Sequence, residues 1–116
     1  MASFELIFEA DEDVLEVTFE AFDESFARTI SLNDKILLYT DLMFQNVWGL
    51  TFYDYSRLLQ VSETHLDGLT LLEEADRNRL LALLAKPPAS RFLNVFHPGE
   101  LLARVQSPSL QELMRF

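Results

Sequence analysis

The sequence contains no cysteine, which excludes disulfide bonds, thiol catalysis and cysteine-bound zinc or iron–sulfur sites. Its three glycines, Gly49, Gly68 and Gly99, lie too far apart for a phosphate-binding loop or a dinucleotide-binding fingerprint. The only two histidines are His65 and His97, and two histidines alone rarely form a metal site. We therefore expect neither a metal nor another cofactor.

Basic residues are also scarce, since 9 Lys and Arg stand against 19 Asp and Glu and give a net charge of −10. Nine of the acids lie between Glu5 and Glu24, where no base occurs. Nucleic acids and anionic membranes are bound through Lys and Arg, so neither is an expected partner. A basic protein partner is compatible with this charge.

Long apolar runs are missing as well. The longest, near residues 36–39, is far shorter than the ~18 residues of a membrane-spanning helix. The N-terminus has neither the basic region nor the apolar segment of a signal peptide, so a cytoplasmic protein is expected. A length of 116 residues fits a single domain over 1–116, and 49% hydrophobic residues suffice for a packed core.

The first half has the patterns of short strands. Apolar and polar residues alternate with period two, or β-branched and aromatic residues cluster, in five segments: 4–9, 15–20, 26–31, 35–40 and 47–53. In the first two, acidic residues fill the polar positions. The short connections predict an antiparallel β-meander over 4–53.

The second half, 54–116, is predicted to be a helical extension. Asp54 is expected to cap a short helix through Gln60, and Thr70 with Glu73 to form a capping box for a helix to about Lys86. Further helical segments are predicted at 90–96, from Pro98 and from Ser107. The fold class is therefore α+β, with the C-terminal helices packing on the sheet. The predicted core under these helices is Leu15, Val17, Phe19, Ile36, Leu38, Leu50 and Phe52.

Three stretches of the first half match the motifs of a known family. They are 8–17 (Phe-Glu-Ala-Asp-Glu-Asp-Val-Leu-Glu-Val), 27–34 (Ala-Arg-Thr-Ile-Ser-Leu-Asn-Asp) and 47–52 (Val-Trp-Gly-Leu-Thr-Phe). In order and spacing, residues 4–58 resemble the YuzE-like family, small bacterial proteins carrying a domain of unknown function. Phe8 and Glu16 depart from the family's tyrosines, and Thr51 departs from its glutamate. The resemblance implies a small β-meander followed by a helix, and it implies no activity, cofactor or catalytic residue.

The sequence offers only weak candidates for a metal-binding site or a catalytic site. Asp11, Glu12, Asp13 and Glu16 offer oxygen ligands for calcium or magnesium, yet they lack the spacing of a calcium-binding loop and are typical of a charged hairpin turn. Serine, histidine and aspartate occur without a Gly-x-Ser-x-Gly nucleophile elbow. The sequence thus predicts no catalytic, cofactor-binding or metal-binding residue, and no enzyme.

An apolar surplus favours assembly instead. The pairs Leu71 and Leu72, and Leu101 and Leu102, give the predicted helices more apolar surface than one stripe. The main hypothesis is therefore a non-catalytic, oligomeric interaction module, a homodimer that buries helix surface over 71–84 or 101–114. One alternative is an acidic, antitoxin-like inhibitor of a basic partner protein. A second alternative is a small ligand-binding protein or enzyme.

Overall fold

The computed structural model describes residues 5–19 and 27–108. The first half of the chain forms one five-stranded antiparallel sheet in the order β1-β2-β5-β4-β3. Its strands are β1 (Glu5–Glu9), β2 (Val14–Thr18), β3 (Arg28–Ser31), β4 (Ile36–Thr40) and β5 (Val47–Tyr53). The predicted α+β class and the five antiparallel strands are confirmed.

The strand order differs from a simple meander. β5 pairs with β2 on one side and β4 on the other, so the strand predicted at the far end lies in the middle of the sheet. Strands β3, β4 and β5 are neighbours in chain order, whereas β3, the next strand after β2, lies at the opposite edge of the sheet from β1. This is a Greek-key arrangement. Alternation fixes which residues share a face, but it carries no information on which strands are neighbours.

The described part of the second half, 54–108, contains two α-helices, α1 (Tyr55–Gln60) and α2 (Glu74–Leu84). It also forms a second antiparallel sheet, in the order β6-β8-β7, from β6 (Thr64–His65), β7 (Leu93–His97) and β8 (Leu102–Val105). The helical segments predicted at 90–96 and from Pro98 are therefore wrong beyond short 3-10 turns at Ala89–Arg91 and Pro98–Glu100. The helix predicted from Ser107 falls largely on 109–114, outside the described residues.

One hydrophobic core joins the two halves. All seven predicted core residues are buried in it, together with Leu80, Leu84 and Phe92 from the second half. The rings of Phe19 and Phe92 are 5.7 Å apart. Helix α2 contacts β7, and the turn Ala89–Arg91 contacts β5. The turn Asp67–Leu71 contacts β3 of the same sheet, and direct packing of a C-terminal helix on this sheet is not confirmed.

The helix predicted from Asp54 through Gln60 is confirmed as Tyr55–Gln60, but neither predicted side-chain cap forms. Asp54 precedes α1 in the left-handed region, at φ 53°, and makes no capping hydrogen bond with its side chain. Its carboxylate instead pairs with the Lys35 ammonium at 2.7 Å. This bond raises the pKa of Lys35 and lowers the pKa of Asp54. Thr70 lies in the 3-10 turn Asp67–Leu71, where its hydroxyl donates to the Asp67 carbonyl, and α2 begins only at Glu74.

Candidate interaction surface

Strand β1 is an edge of the five-stranded sheet. It pairs with β2 from Glu5 opposite Thr18 to Glu9 opposite Val14. Within 5–19 and 27–108, no strand pairs with its other edge. All five of its residues are exposed, and Leu6, Ile7 and Phe8 keep 40%, 43% and 50% of their surface accessible. An exposed edge with apolar side chains is a template for pairing with another strand.

The pleat of β1 places two side chains on the core side of the sheet. Leu6 lies opposite Val17 and Phe8 opposite Leu15, so both share the face that carries the core. They nevertheless stay exposed, whereas Leu15 and Val17 on the neighbouring strand β2 are buried. The apolar stripe of β1 is therefore an extension of the core face that the described residues do not fully cover.

Tyr55 of α1 borders this stripe. Its ring lies 6.2 Å from the ring of Phe8, edge to face, and 5.8 Å from the ring of Phe52. Burial raises the pKa of Tyr55, and a hydrogen bond with Ser107 acts in the opposite direction. The phenol thus stays neutral near neutral pH, which suits a position at the rim of an apolar surface.

Acidic side chains surround the outer face of β1. Glu5, Ile7 and Glu9 share this face, and Glu16 lies directly opposite Ile7 on β2. Glu5, Glu9 and Glu16 are exposed. The surface defined by β1 and Glu16 is therefore apolar at its centre and negative around it; we call it the β1 edge surface.

The acidic turn after β1 has a structural role. Asp13 adopts the left-handed region at φ 55°. Its carboxylate accepts hydrogen bonds from the Ser56 amide, at 3.1 Å to each oxygen, and from the Ser56 hydroxyl at 2.7 Å. The Tyr55 amide also donates to the Asp13 carbonyl at 3.0 Å. Asp13 therefore caps α1 from a distant turn, satisfying amides at the helix start that have no partner within the helix.

Replacing Asp13 with alanine is expected to lower the free energy of unfolding by about 1–2 kcal/mol, the loss typical of a helix cap. Asp11→Ala is the matched control, since Asp11 is an exposed acid of the same turn. Its effect should stay within about 0.5 kcal/mol. Urea denaturation followed by circular dichroism measures both. Equal midpoints for the two variants would contradict the capping role.

The other candidate residues are not brought together. His65 on β6 and His97 on β7 both lie opposite Leu102, which separates them by two strand spacings, about 10 Å. The His97 Nε2 is 3.8 Å from a Glu100 carboxylate oxygen, and both side chains are exposed. Across the described part of the chain, no three His, Asp or Glu side chains cluster as a metal site would require.

The outer face of the sheet also carries a half-open groove of about 420 Å³. Its polar lining includes Glu16, Thr18, Thr29, Tyr39 and Thr51, and the Tyr39 and Thr51 hydroxyls are 3.0 Å apart. Hydroxyl groups and one carboxylate suit hydrogen bonding to a polar ligand. This groove is the surface on which the small-ligand alternative depends.

Several leucines of the surfaces predicted to form a homodimer are buried or lie outside α-helices in the fold. Leu80, Leu84 and Leu101 are buried in the core, and Leu101 and Leu102 do not belong to a helix. Leu71 is 88% exposed, but it lies on the 3-10 turn Asp67–Leu71 and not on α2. Three consecutive exposed apolar side chains lie instead on β1, at Leu6, Ile7 and Phe8.

No family model, no curated protein and no solved structure matches this chain. The YuzE-like resemblance therefore stays a prediction, as does the cytoplasmic location. Among the helices that the structure describes, none is both long and apolar enough to cross a membrane.

Proposed function

We propose that this protein is a non-catalytic interaction module that presents the β1 edge surface to a strand of a second polypeptide. The observation that carries the proposal is the exposure of Leu6, Ile7 and Phe8 on an edge strand. A strand added there gains main-chain hydrogen bonds from the open edge, and side-chain contacts on both faces supply specificity.

In this proposal the module also associates with itself, as a homodimer. Two copies of β1 would pair antiparallel about a twofold axis and join two five-stranded sheets into one. Burial of Leu6 and Phe8 against the second copy supplies the apolar contribution. The surface is small and each chain carries a charge of −10, so this self-association is weak and strengthens with salt, which screens the repulsion.

The test is light scattering coupled to size exclusion over the micromolar range, at low and at moderate salt. The wild type is expected to approach twice its chain mass of 13.4 kDa as concentration and salt rise. Phe8→Lys should keep the chain monomeric, because it places a charge on the apolar side of β1. Leu71→Lys is the matched control, since Leu71 is exposed but lies outside β1. Circular dichroism verifies that both variants fold.

Two results would contradict this form of the module. One is a dimer that persists in Phe8→Lys, which would place the interface elsewhere. The other is a wild type that stays monomeric at every concentration and salt, which would remove the second copy as an occupant. The antitoxin-like alternative is an acidic chain that binds a basic partner protein, and the glutamates around β1 favour it. It predicts that β1 accepts a strand that carries basic residues.

A further inference from the structure

The two glutamates at the ends of β1 weaken the proposed self-association and make a second copy a poorer partner than a basic strand. When two β1 strands pair antiparallel about Ile7, Glu5 of each copy lies opposite Glu9 of the other. Like charges directly opposite across a strand pair are destabilising. Moving the axis to Leu6 or Phe8 puts a glutamate opposite Ile7 and leaves only three of the five described residues paired. Charged residues on an edge strand are a known means of limiting self-pairing.

The same two glutamates suit a basic strand. Glu5 and Glu9 are four residues apart on the outer face, so cations spaced by four on an antiparallel strand would lie opposite both. Glu16 adds a third carboxylate beside Ile7, on the adjacent strand of the same face. Lys35, the residue before β4, pairs with Asp54 and not with these glutamates. The charge of the β1 edge surface thus complements a strand that is basic at both ends and apolar or β-branched between.

We propose that the preferred occupant of the β1 edge surface is an extended segment of a basic protein, with Lys or Arg opposite Glu5 and Glu9. This inference rests on the proposed function, because it needs a strand to add to β1. The apolar centre of β1 supplies side-chain contacts with the partner strand. The acidic ends of β1 disfavour a second copy and favour a basic chain.

The experiment uses three capped peptides that differ only at their ends: Lys-Val-Thr-Val-Lys, Gln-Val-Thr-Val-Gln and Glu-Val-Thr-Val-Glu. Each is titrated into the full chain, at a concentration where light scattering finds a monomer, and binding is followed through the NMR signals of the β1 amides. The lysine peptide is expected to bind about tenfold more tightly than the glutamate peptide, with the glutamine peptide between them. Added salt should reduce this difference.

Glu5→Gln combined with Glu9→Gln should remove the preference among the peptides and increase self-association. Asp11→Asn combined with Glu12→Gln is the matched control, since it removes the same charge from the neighbouring turn and should leave the preference intact. Equal binding of all three peptides would overturn the basic partner while supporting strand addition at β1. If no peptide binds but the chain dimerises through Phe8, the occupant is a second copy and the inference is wrong. If neither peptides nor a second copy bind, both this inference and the proposed function fail.

Discussion

Replacing Gly68 with alanine is expected to lower the free energy of unfolding by about 3 kcal/mol, at the upper end of the usual cost of overpacking. A Cβ atom at this position would overlap the carbonyl oxygen of Ser31, which is main chain and has little room to move. The Gly68 amide also donates to the Leu32 carbonyl at 2.8 Å. The 3-10 turn Asp67–Leu71 therefore lies directly against the turn between β3 and β4, and any side chain at Gly68 forces the two apart.

Gly99→Ala is the matched control for this prediction. A Cβ atom at Gly99 meets no atom within 4 Å, and the residue is exposed in the turn Pro98–Glu100. Neither glycine has a positive φ, so the two substitutions differ in space and not in backbone preference. Gly99→Ala should change the stability by less than about 0.5 kcal/mol. If chemical denaturation gives the two variants the same midpoint, the close approach at Gly68 is not a feature of the folded protein.

The hydrogen bonds of Asn33 show which interactions a sequence pattern predicts and which it does not. Asn33 and Asp34 are typical turn residues, and the Asn33 side chain accepts a hydrogen bond from the Lys35 amide at 2.8 Å. That is a local interaction, within reach of a sequence pattern. The same side chain also donates to the Thr64 hydroxyl at 3.0 Å and to the His65 carbonyl at 3.1 Å. The local sequence around Asn33 does not predict these two hydrogen bonds, because their acceptors lie on a strand about thirty residues further along the chain.

The sequence pattern does not predict the second sheet, because that sheet also depends on pairing between distant segments. β6 has two residues and β8 has four, too few to reveal a period of two, and their stability comes from pairing with each other. Pro98 begins a single 3-10 turn and not the longer helix predicted from it. It is followed by Leu101 in the left-handed region at φ 59°, which redirects the chain into β8.

The sequence predicts which residues of the β1 edge surface share a face, but not which of them are exposed. The alternation in β1 correctly grouped Glu5 with Glu9 on one face and Leu6 with Phe8 on the other. Whether Leu6 and Phe8 are buried, however, depends on strand order and on how far the second half extends across the sheet. Both are long-range properties, so the alternation in β1 does not predict that the fold leaves these residues at an exposed edge.

Leu38→Ala tests the opposite case, a residue whose pattern and surroundings agree. Leu38 is completely buried on β4, between Ile30 of β3 and Leu50 of β5. Its truncation should lower the free energy of unfolding by about 2–5 kcal/mol, because packed neighbours on both sides cannot close the cavity. Leu37→Ala is the matched control: the adjacent side chain lies on the outer face and is only half-buried, so it should cost about 1 kcal/mol. Guanidinium denaturation of both variants gives the comparison. A midpoint for Leu38→Ala close to that of the wild type would mean that β4 is not an interior strand, and the Greek-key order would have to be abandoned with it.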